Sequence, residues 1–168
     1  MLWPMRTCSL VVLPDPGSPL RAELVAALLT TSTPILDLAG VAAGPVPPAS
    51  AICAAIRAAH LTSPVIIVAT GAALPLLPAV ARAQRAAHQL ISGYVLLDID
   101  AQALEADPTG ESWPDAPVTL IVAAALIAPR DVDGVETHAR LRGWTVHAAE
   151  QPDALAGTLL ALAADLAP

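Results

Sequence analysis

Residues 64–77 read PVIIVATGAALPLL: a short β-branched run, a small-residue turn, then the start of an apolar helix. Val65 to Val68 carries no polar side chain and follows a proline, the pattern of a strand buried on both faces of a parallel sheet. Thr70, Gly71 and Ala72 then turn the chain, and Gly71 is free to take φ > 0 there. Ligands of open α/β sheets bind at the carboxyl ends of central strands, so this turn is the first place to look for a site.

On either side of this stretch the same alternation recurs. CSLVVL (8–13) is a buried strand followed by the turn Pro14-Asp15-Pro16-Gly17, and Ser18 caps a helix that opens on Pro19. PILDL (34–38) is a second strand, with a Gly/Pro loop to Ala49 and a helix over about 50–60 that aligns Ile52, Ile56 and Ala59. After the central strand a helix is expected over about 73–90, with Pro75 and Pro78 in its first turns. YVLLD (94–98) is a fourth strand and PVTLIVAA (117–124) a fifth, separated by a polar stretch containing Trp113. A helix over about 132–142 closes at Gly143, WTVHA (144–148) is the last strand, and Leu155, Leu159, Leu162 and Leu166 stripe a final helix. Strands alternating with helices predict an α/β three-layer sandwich on a mostly parallel sheet of about six strands, in a single domain over 1–168.

Composition excludes several classes. The net charge is −7 and the eight arginines are scattered, which does not suit a phosphate-tracking surface, so no nucleic-acid partner is expected. Lys, Phe and Asn are absent, and because all three use A/T-rich codons the sequence points to a high-GC, actinobacterial-type genome. The uncharged run 61–81 is long enough for a bilayer, but Pro64, Thr70, Gly71, Pro75 and Pro78 punctuate it as a strand-turn-helix requires. No membrane span and no signal peptide are expected, and the default location is cytoplasmic. Cys8 and Cys53 have neither metal nor disulfide spacing. No metal site, G-x-G-x-x-G or Walker loop is present, and no cofactor is expected.

The element order and the turn at 69–73 resemble an α/β-hydrolase-fold protein over nearly the whole chain. That family places G-x-S-x-G at this strand-to-helix turn; the matching residues are Ala69, Thr70, Gly71, Ala72 and Ala73. The nucleophile position falls on Gly71, so the Ser-His-Asp triad is not retained. The resemblance implies an oxyanion-hole N–H on Ala72 and a second donor in the loop after the first strand, where Pro16 cannot donate but Gly17 or Ser18 can. It also implies a lid after the fourth strand, reduced here to a vestige around 99–116, with the pocket mouth left wide or covered by Trp113 or by a second subunit in a homodimer.

The residues expected to carry chemistry are Asp98, His147 and Asp15, as proton-transfer groups. Gly17, Thr70, Gly71, Ala72, Asp100, Trp113 and Glu150 are expected to line the substrate. The implied reading is a triad-less enzyme of specialised metabolism that positions an apolar polyketide-like or ester metabolite for a step such as ring closure. The alternatives are a non-catalytic pseudo-hydrolase that binds a metabolite or a protein, and a residual esterase or thioesterase using Ser18 or Thr70.

Overall fold

The structure is a computed structural model describing residues 8–41, 49–61, 64–99, 104, 113–123, 129–149 and 152–166. The strands are β1 (Ser9–Val12), β2 (Ile35–Asp37), β3 (Val65–Thr70), β4 (Ile91–Leu97), β5 (Val118–Ala123) and β6 (Thr145–Ala149). The helices are α1 (Pro19–Leu28), α2 (Ala49–Ala58), α3 (Leu77–Ala86), α4 (Pro129–Leu141) and α5 (Pro152–Asp165). The strands form one six-stranded sheet in the order β2-β1-β3-β4-β5-β6. All five pairings are parallel. The predicted α/β sandwich is therefore what forms.

Period-two alternation along the strands divides the core. Leu10, Val12, Ile66, Val68, Val95, Leu97 and Ile121 pack under α1 and α5, against Leu24, Leu28, Leu155 and Leu159. Val11, Ile67, Ala69, Leu96, Leu120 and Val122 pack under α2, α3 and α4, against Ile52, Ile56, Val80 and Val135. Both faces of β3 are buried along its whole length, which is why its sequence shows an apolar run with no polar alternation.

The helix expected over 73–90 is shorter and begins differently. Residues Gly71–Leu76 wind as a 3₁₀ helix before α3 starts at Leu77. Pro75 and Pro78 each lack an N–H, so the first turns cannot close a full α ladder. The helix ends early because His88 adopts φ 56°. The His88 N–H then reaches the Arg85 carbonyl and the Gln89 N–H the Gln84 carbonyl, both at 3.0 Å, the bonds of a Schellman cap. β4 accordingly begins at Ile91, three residues before the expected start at Tyr94. Gly143, at φ 73°, caps α4 as its sequence predicts, with the Trp144 N–H on the Ala139 carbonyl at 3.0 Å.

Three of the four aromatic residues meet on the α4 side. Trp113 packs edge-on to Tyr94 and to Trp144, with ring centroids 5.6 Å and 5.9 Å apart. The Tyr94 hydroxyl donates to Asp115 Oδ1 at 2.6 Å, and Asp115 Oδ2 accepts from Arg85 Nη2 at 2.8 Å and Nε at 3.1 Å. Burial, reinforced by the bond to Asp115, pushes the Tyr94 phenol well above its ordinary value. The folded chain thus holds this proton more tightly than the unfolded chain does. The stability it contributes is complete below about pH 10 and is lost as pH rises beyond it. Stability measured by urea unfolding is expected to fall above pH 10 with a slope of up to about 1.4 kcal/mol per pH unit from this group. Tyr94→Phe should remove that component; an unchanged alkaline limb would show that another group carries it.

Candidate functional site

The strand order reverses at β1: the chain steps from β1 outward to β2, then returns past β1 to β3. The crevice at the carboxyl ends of β1 and β3 is therefore the topological switch point, where ligands of open α/β sheets bind. The turn after β1 is built by Asp15. Its carbonyl accepts the Ser18 N–H at 3.3 Å, and its Oδ1 accepts the Gly17 N–H at 3.2 Å, the side-chain turn that Asp favours. Ser18 then caps α1, its Oγ accepting the Arg21 N–H at 3.2 Å. The N–H groups of Gly17 and Ser18, expected as oxyanion donors, are bonded to Asp15 within this turn.

Across the crevice, the Thr70 hydroxyl donates to Asp15 Oδ2 at 2.6 Å. Thr70 is only 2% exposed, whereas Asp15 is half-buried. The carboxylate is held from both sides, by its own turn through Oδ1 and by the end of β3 through Oδ2.

Gly71 follows Thr70, and its backbone departs from the expected strained turn. Among the described residues the glycine with positive φ is Gly143, not Gly71. The reason for glycine at 71 is crowding: a Cβ there would lie 3.0 Å from the backbone carbonyl oxygen of Asp98. Asp98 itself adopts φ 52°, an uncommon conformation for a residue with a side chain, at the end of β4. Gly71→Ala is expected to destabilise by about 1–2 kcal/mol through overpacking. The same change at Gly134 in α4 meets nothing within 4 Å and should stabilise by up to about 1 kcal/mol. Thermal melts of the two variants check the contrast; equal shifts would rule out the contact with Asp98.

Arg21, 6% exposed, ties the neighbouring strand ends together. Its Nε donates to the Leu13 carbonyl at 2.6 Å and its Nη2 to the Val12 carbonyl at 3.4 Å, and Nη2 also forms an ion pair with Asp37 at the end of β2. Asp37 Oδ1 in turn accepts the Ala39 N–H at 2.9 Å. Neither Arg21 nor Asp37 is among the residues the sequence singles out. The available signal was a lone arginine in a helix whose other charged residue is Glu23, and an aspartate closing an edge strand.

The site thus gathers Asp15, Gly17, Thr70, Gly71 and the Asp98 backbone, with Ala72 exposed beside them. His147 stands apart. It lies in β6 level with Ile121, Leu97 and Thr70 across the sheet, so three strand spacings, roughly 14 Å, separate it from the crevice. Trp113, expected at the pocket mouth, is instead a core side chain, 2% exposed, because its indole completes the aromatic cluster. Asp100, Glu150 and most of the vestigial lid lie outside the described residues. Among the described residues no group of three or more His, Cys, Asp or Glu side chains could hold a metal ion. No helix of the described residues is long and apolar enough to cross a membrane.

No protein-family model matches the sequence, and no curated protein does. Solved structures do match. One is described as "RedJ with PEG molecule bound in the active site"; it aligns over 96% of this chain and 92% of its own, with a TM-score of 0.52 and 13% identity. This likeness concerns the fold, an α/β sandwich on a six-stranded parallel sheet.

Proposed function

We propose that the chain is an α/β-hydrolase-like protein of specialised metabolism that works without a serine nucleophile. In this reading the β1/β3 crevice holds an apolar, carbonyl-bearing metabolite of the polyketide or ester type and promotes a non-hydrolytic step such as ring closure. The observation that carries the reading is the 2.6 Å bond from Thr70 to Asp15 at the switch point. It orients a half-exposed carboxylate beside a turn whose glycine has no side chain with which to attack. Asp15 takes a proton from the carbon next to one carbonyl, that carbon attacks a second carbonyl of the same molecule, and the proton returns to the new alkoxide. Holding both ends of one molecule in reach supplies much of the rate, and the carboxylate supplies the proton transfer.

The crowding at Gly71 also favours a second reading, a binding module with no turnover, because the carbonyl of Asp98 leaves no room for a nucleophile there. Mass spectrometry of small molecules retained by the purified protein, followed by turnover of what is found, separates the two. The first reading expects conversion of the retained species and a loss of at least 100-fold in Asp15→Asn, with the fold intact. Retention without conversion selects the binding module. Fluorophosphonate labelling at Thr70 would overturn both in favour of an esterase.

A further inference from the structure

A second concavity lies at the other end of the sheet. Helices following parallel strands run back antiparallel to them, so α2 and α3 end at the amino side of the strands, away from the Asp15 crevice. Between their last turns is a cavity of about 330 Å³, at the small end of the range for ligand pockets. Cys53 and Gln84 contribute to it from the core side, Ile56 and Leu61 are apolar wall, and Arg57 and His60 stand at the exposed rim.

Gln84 is the telling residue. It is 5% exposed, yet it sits in a helix facing an otherwise apolar cluster. Its amide offers two donors and an acceptor oxygen. Its side chain bonds the Cys53 thiol, whose own ionisation burial pushes up, so that the thiol stays a neutral, weak partner. A buried primary amide costs free energy unless its hydrogen bonds are made. Gln84 lines the cavity, so a guest there can meet the amide. The Arg57 guanidinium is exposed at the rim, where water solvates it, and the buried lining residues carry no charged side chain, which favours a neutral guest.

We propose that this amino-end cavity is a binding site for a small neutral molecule with a lactam or carboxamide head. Such a head pairs its own N–H and C=O with the carbonyl and NH₂ of Gln84, and its apolar body rests on Ile56 and Leu61. The proposal is independent of the reading of the Asp15 crevice.

The test is a titration of the ¹⁵N-labelled full chain with 2-piperidone and, separately, with cyclohexanone, a ring of the same size without the N–H. The lactam should shift the Gln84 side-chain NH₂ resonances saturably, slow alkylation of Cys53 by N-ethylmaleimide, and bind at least 10-fold more tightly than the ketone. Gln84→Leu should abolish that preference. Ala87→Trp, which fills the mouth from an exposed position, should block binding in a chain whose core is untouched. Equal binding of the two rings, no saturable shift, or a lactam response that survives both substitutions would overturn the proposal and leave the cavity to water.

Discussion

Trp113→Ala is expected to cost about 4 kcal/mol of folding stability, the scale measured for truncating a large buried aromatic. The indole is 2% exposed and touches both Tyr94 and Trp144 edge-on, so truncation removes two aromatic contacts and opens a hole beneath β4 and β6. For a chain of this length the melting temperature should fall by roughly 8–16 °C. A thermal melt and a urea titration check it. The number discriminates between two roles: a tryptophan that merely covers a pocket mouth would be removed with a loss under about 0.5 kcal/mol, the range of surface substitutions. A loss that small would displace Trp113 from the core.

Arg21→Met is expected to cost about 3 kcal/mol. The thioether keeps most of the packing volume, but the Leu13 carbonyl loses its buried donor and Asp37 its cation. Two effects moderate the figure. The Asp37 side chain is 33% exposed, so water solvates it in part. The Val12 carbonyl keeps the Leu38 N–H at 3.1 Å. What remains is chiefly one orphaned carbonyl and one weakened ion pair. Arg21→Lys should recover less than half of the loss, because an ammonium cannot span three acceptors with the planar fork of a guanidinium. Equilibrium urea unfolding reads both variants; a methionine variant within 1 kcal/mol of the parent would show that the carbonyls rehydrate freely. Because Asp15 lies two residues beyond Leu13, the same variant should also loosen the carboxylate held by Thr70.

The parallel sheet was legible because its strands are short, β-branched runs: residues 65–68 are wholly apolar and residues 118–122 carry only Thr119 as a polar residue, and prolines and glycines punctuate the chain around them. The cap at Ser18 and the stop at Gly143 were legible for the same local reason, each depending on one residue type at one position. The end of α3 was not, since nothing in the sequence marks His88 as the residue that turns left-handed where glycine is usual. Within the site, Asp15 and Thr70 were identifiable singly, at strand ends. Their bond was not, for it joins residues 55 apart in sequence and depends on β1 and β3 being neighbours. Gly71 was read for conformational freedom, when its constraint comes from the carbonyl of Asp98 on the next strand. Arg21 escaped notice because its three acceptors are assembled only by the fold.

The clustering of aromatic residues has an optical consequence. The chain contains one tyrosine, three tryptophans and no phenylalanine, and the tyrosine and two of the tryptophans form a single contact group under β4, β5 and α4. Near-ultraviolet circular dichroism should therefore be dominated by exciton coupling within that group, a sharp reporter of whether this half of the molecule is packed. Among the described residues the half around β1, β2 and α1 has no aromatic chromophore of its own. Among the described residues, events at the Asp15 crevice have no aromatic reporter beside them unless a tryptophan is engineered nearby or the ligand absorbs.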